Sequence, residues 1–141
     1  RPYLTERFQG VWKIEQKFRE SNLTFDLTGS ITGPLKLPLL GALDPRDPYS
    51  PTFSIINIQL TKGWNNRYEF YGGVKNLLNF TPAKNSIARA FDPFDREVQF
   101  DALGNLQPSA GNPYALTFDP TYVYASNQGI RFFMGFRWSL N

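Results

Sequence analysis

Five stretches of the chain alternate apolar and other residues with a two-residue period, the mark of a β-strand with one apolar face. In residues 10–20 the apolar positions are Trp12, Ile14 and Phe18, opposed by Lys13, Glu15, Lys17 and Arg19. In residues 23–31 they are Leu23, Phe25, Leu27 and Ile31, against Thr24, Asp26, Thr28 and Ser30. Residues 54–62 set Ile56, Ile58 and Leu60 against Asn57, Gln59 and Thr61. Residues 67–76 set Tyr68, Phe70 and Val74 against Glu69, Tyr71 and Lys75. The fifth stretch, 129–141, places Ile130, Phe132, Met134, Phe136, Trp138 and Leu140 at every second position. The pattern predicts an all-β chain.

The connections alternate in length. A tight turn near Glu20–Asn22 joins the first two strands, and the Gly63-Trp64-Asn65-Asn66 hairpin signal joins the third and fourth. The other two links are long, over residues 32–51 and from about Asn79 to Gln128. Links of that length are uncommon in compact domains and mark function or disorder. The first holds Pro34, Pro38, Pro45, Pro48 and Pro51, which favour stiff extended backbone. The second contains a small predicted hairpin turning at Leu103-Gly104-Asn105.

Two architectures fit strands with one apolar face. One is a soluble β-sandwich whose apolar face packs on a second sheet. The other is a transmembrane β-barrel wall, apolar towards lipid and polar towards a wet lumen. Strand length favours the barrel, because a membrane-crossing strand needs about 9–11 residues and the usual strand has about 5–6. So does the alternation of short turns with long loops. Tyr and Trp gather at membrane interfaces, where one part of the ring system is apolar and another hydrogen-bonds. The predicted interface aromatics are Trp64, Tyr68 and Trp138 towards the short-turn end, with Trp12 towards the other.

Composition supports strands: aromatic residues reach 16%, with 11 Gly and 11 Pro as breaks. No run of about 18 apolar residues suggests a transmembrane helix. The N-terminal stretch is polar, lacks an initiating Met and shows no signal peptide, so the chain is expected to be either a mature product or part of something longer. With no Cys and no His, disulfides, thiolate metal sites and the commonest general base are all excluded. The net charge of +3 is too small to indicate nucleic acid, and the cations are scattered.

Candidate chemistry is sparse. Asp92 and Asp95 are candidates for paired carboxylates in acid–base work, but Asp-Pro is also turn chemistry, and the turn reading is preferred. With Asp44, Asp47 and Asp119 they are candidates for a hard cation, at spacings that match no calcium loop. The two glycines of Tyr71-Gly72-Gly73-Val74 lack a phosphate-loop frame and suit close packing in a strand. No enzymatic activity, cofactor or metal is expected. Asn22-Leu23-Thr24 and Asn79-Phe80-Thr81 fit the glycosylation pattern, read here as chance.

The segment Tyr71–Pro82 and the terminal aromatic strand resemble the C-terminal end of TonB-dependent outer-membrane receptors, especially those of Bacteroidota. The family's Val-x-Asn-Leu-x-Asn pattern matches Val74, Asn76, Leu77 and Asn79 at the exit of the next-to-last strand. Residues 85–95, 112–125 and 127–138 continue the likeness, and residues 27–62 resemble the preceding hairpin. The resemblance covers nearly the whole chain, 1–141. It implies the C-terminal antiparallel strands of a transmembrane β-barrel with long extracellular loops. Such barrels have 22 strands and a plugged lumen, so the plug domain and the TonB-binding segment lie outside this sequence.

The resemblance also implies a location in the bacterial outer membrane and import of a scarce nutrient: a siderophore, cobalamin or an oligosaccharide. The implied partners are outer-membrane lipid, the rest of the barrel and plug, TonB through the missing N-terminal part, and the small-molecule nutrient, with no nucleic acid. The closing strand, with Phe132, Phe136 and Trp138, would be the segment read by the assembly machinery. In the family it usually ends on an aromatic residue, whereas here Leu140 and Asn141 follow. The second long loop, rich in acidic and aromatic residues, supplies a candidate substrate vestibule: Asp92, Phe94, Asp95, Tyr114, Asp119 and Tyr122. For most of these aromatics, packing between loops is the preferred role. The competing functional reading is a soluble secreted β-sandwich that binds a ligand or glycan through its long loops.

Overall fold

The computed structural model describes residues 2–65, 67–91 and 94–140. Each patterned stretch is a strand: β1 (Gln9–Phe18), β2 (Leu23–Thr32), β3 (Phe53–Trp64), β4 (Tyr68–Lys75) and, after the short β5 (Gln99–Phe100) and β6 (Leu106–Gln107), β7 (Arg131–Trp138). The long strands form one antiparallel sheet in the order β1-β2-β3-β4-β7. β5 and β6 pair as a separate small hairpin, its turn closed at Gly104 with φ of +81°. The chain is therefore all-β and antiparallel. Its single helical turn among the described residues is the 3-10 turn Lys84–Ser86, and no helix is long and apolar enough to cross a membrane.

Asparagines set the short turns. Asn22 (φ 48°) follows Arg19, whose carbonyl accepts its N–H at 3.2 Å. Asn65 (φ 51°) lies inside the turn where Arg67 N–H donates to Trp64 O at 3.1 Å. Left-handed backbone suits Asn because its short polar side chain bonds locally.

The chain divides into two compact units: a sheet unit (Arg7–Gly33, Thr52–Thr81, Gln128–Asn141) and a loop unit (Arg1–Glu6, Pro34–Pro51, Pro82–Asn127). Burial is distributed unusually between them. The buried apolar residues Leu35, Leu37, Ala88 and Tyr122 all belong to the loop unit, with Leu37 only 2% exposed. The loop unit is tied by backbone bonds between segments far apart in sequence, such as Leu37 N–H to Pro48 O and Ser50 N–H to Leu35 O, both 2.9 Å. In the sheet unit no apolar strand side chain is fully buried: Leu23, Phe25, Leu27, Ile56, Ile58 and Val74 are half-buried, and at the β7 edge Met134 is 89% and Phe132 81% exposed.

The exit of β4 explains the Val-x-Asn-Leu-x-Asn pattern. Asn76 is buried; its Oδ1 accepts Phe80 N–H at 2.9 Å and its Nδ2 donates to Phe80 O at 2.7 Å. The Asn79 N–H donates to Asn76 O at 2.8 Å, and Asn79 Oδ1 accepts Ile130 N–H at 3.0 Å, just before β7 begins. Both asparagines adopt left-handed backbone, at φ 55° and 53°. Leu77 N–H donates to Ile56 O at 2.8 Å, so the turn is also pinned to β3. The pattern is a clasp that ends one strand and starts the next pairing.

Candidate functional site

The registers place side chains in cross-strand rows. On one face the rows are Ile14–Leu27–Ile58–Val74–Phe132, then Gln16–Phe25–Leu60–Gly72–Met134, then Phe18–Leu23–Lys62–Phe70–Phe136. Trp64, Tyr68 and Trp138 form the row next to the short turns, and Trp12, Gly29 and Ile56 a row towards the opposite end. Tyr68 stacks on Trp138 at 6.4 Å and on Phe136 at 6.0 Å, and Trp64 meets Phe70 edge-on at 6.0 Å. Gln16 and Lys62 interrupt the face. Lys62 lies one row from the aromatic end, its Nζ hydrogen-bonded to Ser21 O and 5.6 Å from the Trp64 ring centroid. That is how a long cationic side chain extends along an apolar surface towards its polar margin.

The opposite face is charged and mixed. Lys13 Nζ lies 2.8 Å from both Glu15 and Asp26, and Lys17 lies 2.9 Å from Glu15, so β1 and β2 share a continuous ion-pair chain. Arg137 pairs with Glu69 between β7 and β4. Two glycines here seat aromatic rings from the neighbouring strand: Phe133 lies over Gly73, and Tyr71 over Gly135. Beside Phe133 is an open groove of about 310 Å³, whose lining includes Lys13, Asp26, Asn57, Gln59 and Lys75.

The loop unit is organised by a buried arginine. Arg46, its side chain 2% exposed, donates to both Asp44 oxygens, Nε to Oδ1 at 2.9 Å and Nη2 to Oδ2 at 2.7 Å. Its guanidinium stacks 4.2 Å from the Tyr122 ring centroid, and Tyr122 OH donates to Asp47 O at 2.6 Å. The Arg46 guanidinium holds the Asp44 carboxyl down at about 2. Burial pushes the Tyr122 hydroxyl above its ordinary value. A second arginine, Arg89 in left-handed backbone (φ 46°), binds both oxygens of Asp95, and its Nη1 donates to Gly111 O at 2.8 Å. Asp95 is held below the usual carboxylate range chiefly by that guanidinium.

These partners sort the predicted vestibule residues. Asp95 is committed to Arg89. Asp119 is buried; its Oδ1 caps its own turn, accepting Thr121 N–H at 2.9 Å and Thr121 Oγ1–H at 2.6 Å. Tyr122 is a packing residue, in edge contact with Tyr124 at 6.4 Å. Phe94 and Tyr114 are exposed and free to meet a ligand. Asp92 lies outside the described residues. Of the carboxylates considered for a cation, Asp44, Asp95 and Asp119 thus have protein partners, and no metal-binding group of three forms among the described residues.

Sequence reasoning missed Arg46 and Asn112. Asn112 is 2% exposed and repeats the Asn76 clasp four residues on, its Nδ2 donating to Leu116 O at 2.8 Å and its Oδ1 accepting Leu116 N–H at 3.0 Å. In both clasps the residue before the last has left-handed backbone, Asn79 in one and Ala115 (φ 48°) in the other. Asparagine three residues before a second asparagine signals the first. Ala115 gives no such signal. Comparisons of the chain with protein-family models, curated proteins and solved structures each return no match.

Proposed function

We infer that the chain is a wall section and outer-loop segment of a TonB-dependent receptor in the bacterial outer membrane, acting in import of a scarce nutrient. The observation that carries this reading is a single-layer sheet whose largely apolar face, broken only at Gln16 and Lys62, is covered by none of the other described residues. A sandwich would need a second sheet of comparable size, and the other described sheet has strands of two residues. β1, β2 and β3, at 10, 10 and 12 residues, reach the length of about 9–11 that a membrane crossing needs, and β4 and β7 have 8. The rise from the Ile56 row to the Trp64 row is about 27 Å at about 3.4 Å per residue. At a strand tilt of about 40° that is about 21 Å along the membrane normal, close to the apolar band of such barrels.

In lipid, every strand edge needs a partner. β1 and β7 are the two edges of this sheet, so they pair with strands from the rest of the receptor. Transport needs no catalytic group. The wall supplies a lipid-facing surface, a polar inner surface and loops that meet cargo, among which Phe94 and Tyr114 are the exposed aromatics of the vestibule.

Cell fractionation tests the reading with an antibody raised to residues 91–105. A band several times 16.2 kDa, confined to the outer membrane, is the expected result. A soluble band near 16.2 kDa would overturn it and favour a secreted ligand-binding module.

A further inference from the structure

We propose that the loop unit binds one sugar ring of a neutral glycan, in a pocket of about 130 Å³ whose lining includes Arg46, Asp47, Tyr49, Asn85, Tyr122 and Tyr124. The lining comes from both long links and lies wholly within the loop unit. Specific bonds set its walls. Tyr122 OH donates to Asp47 O at 2.6 Å. Ser50, also in the lining, is buried, its Oγ accepting Leu35 N–H at 3.0 Å and donating to Pro51 O at 3.1 Å. Pro45 and Pro51 stiffen the same segment. A concave site already formed by the fold, with a few fixed polar groups, is where small molecules bind.

The polar groups select the chemistry. Asp44 takes Nε and Nη2 of Arg46, whereas Nη1 has no partner among the described residues, on a side chain only 2% exposed. A buried donor left that way is costly, so Arg46 calls for one more acceptor. That acceptor is not an anion. Asp44 already balances Arg46, Asp47 lies in the lining, and Asp119 acts on the same guanidinium through space. One cation against three carboxylates repels a carboxylate or a phosphate. A hard cation is served no better, since no metal-binding group of three forms among the described residues. A hydroxyl group meets both needs: it accepts from Arg46 or the Asn85 amide and donates to the Asp47 carboxylate. The tyrosines supply the remaining surface. Tyr49 is 50% exposed, and the electron-rich face of an aromatic ring suits the C–H groups of a sugar. The volume is well below the roughly 300–1,000 Å³ of sites for drug-sized ligands. It therefore holds one ring, not a whole siderophore or cobalamin, of a chain that continues past the exposed rim at Asp47, Tyr49 and Asn85.

The inference rests on the import reading for the ligand's role as cargo, and deepens it by selecting an oligosaccharide among the nutrients. Saturation-transfer NMR tests it on the native protein, purified in a detergent without a sugar headgroup. The probes are glucose, galactose, mannose and N-acetylglucosamine. At least one of them should receive saturation at its ring C–H protons, and an excess of citrate should not displace it. Tyr49→Ala and Asp47→Asn, both at exposed positions, should each weaken its binding about tenfold, the loss of one good contact. No transfer to any of the four sugars, transfer that either variant leaves unchanged, or displacement by citrate overturns the proposal. Fractionation decides location separately. A soluble protein that binds the sugar sinks the import reading and keeps the site, and an outer-membrane receptor that binds none of the four does the reverse.

Discussion

A methyl group added at Gly73 would lie 2.1 Å from the Ile58 carbonyl oxygen and 2.8–2.9 Å from two ring carbons of Phe133. Added at the neighbouring Gly72, it would find Phe133 O at 3.4 Å and Met134 Cβ at 3.8 Å, which are ordinary contacts. The ring at Gly73 can turn away. The carbonyl cannot, because it belongs to the backbone of β3. A comfortable carbon–oxygen contact is about 3.3–3.6 Å, so Gly73→Ala must part β3 from β4 locally by more than about 1 Å. Two ladder hydrogen bonds lost at about 0.5–1.5 kcal/mol each, together with the displaced ring, give roughly 2–4 kcal/mol of destabilisation. Gly72→Ala has no such cost and narrows the unfolded ensemble, a gain of about 0.4–1 kcal/mol.

The two variants should therefore differ by about 3 kcal/mol or more, although they change adjacent residues by the same atom. Urea unfolding of the native protein in detergent, followed by tryptophan fluorescence, measures the difference. Gly73→Ala should unfold at clearly lower urea than the parent and Gly72→Ala at the same or slightly higher urea. Unfolding free energies for the two variants that agree within about 1 kcal/mol would refute the close approach of β3 and β4 on which the reasoning rests.

Three further substitutions probe the faces, the clasp and the loop unit. Phe132→Arg places a charge on the apolar face, one row in from the Trp12 row, and should cost up to about 2–4 kcal/mol in a bilayer; Arg137→Gln removes an exposed pair worth at most about 1 kcal/mol. Outer-membrane yield should collapse for the first and hold for the second, and equal yields would reverse the assignment of faces. Asn76→Ala removes both hydrogen bonds to Phe80 and leaves a left-handed backbone without Asn, which should destabilise by about 2–4 kcal/mol; limited proteolysis should cut between β4 and β7 sooner, and an unchanged cleavage rate would refute the clasp. Asp44 has its folded pKa lowered from 3.8 to about 2, so its contribution is complete above pH 4 and is lost as pH falls from about 4 to about 2, amounting to about 2 kcal/mol. Hydrogen exchange across residues 34–51 should accelerate over that window, and Asp44→Asn should already exchange fast at neutral pH with no further change on acidification.

The strands were legible because their alternation is set by the sheet itself. Ile130 to Leu140 repeats every two residues whichever medium covers the face, so the pattern identifies β7 without reference to anything outside it. The turns at Asn22, Asn65 and Gly104 were legible for a local reason, since left-handed backbone restricts which residues can serve. The loop unit was not legible. Its order comes from contacts such as Tyr122 OH to Asp47 O, between residues 75 apart in sequence, and from Arg46, which in sequence is one more cation in a proline-rich link. Of the acidic residues read as vestibule candidates, Asp95 is paired with Arg89, six residues away, and Asp119 caps the turn at Thr121.

The distribution of burial joins these observations. A chain folding in water normally hides its best strand faces and leaves its connections outside. Here the connections contain the buried side chains, among them several polar residues and Arg46, which Asp44 holds through Nε and Nη2 while Nη1 has no partner among the described residues, and Phe132 and Met134 are left bare. Polar groups inside the loop unit require partners within that unit, and they have them in Asp44, Asp119 and Asn112. The sheet instead satisfies its backbone laterally and has two chemically unlike faces. Its apolar face suits hydrocarbon, where roughly 25 cal/mol per Å² favours leaving water. Its charged face carries five cations against three carboxylates. On the membrane-wall reading the first face meets lipid and the second a wet lumen, and the contrast between Phe132→Arg and Arg137→Gln tests that placement.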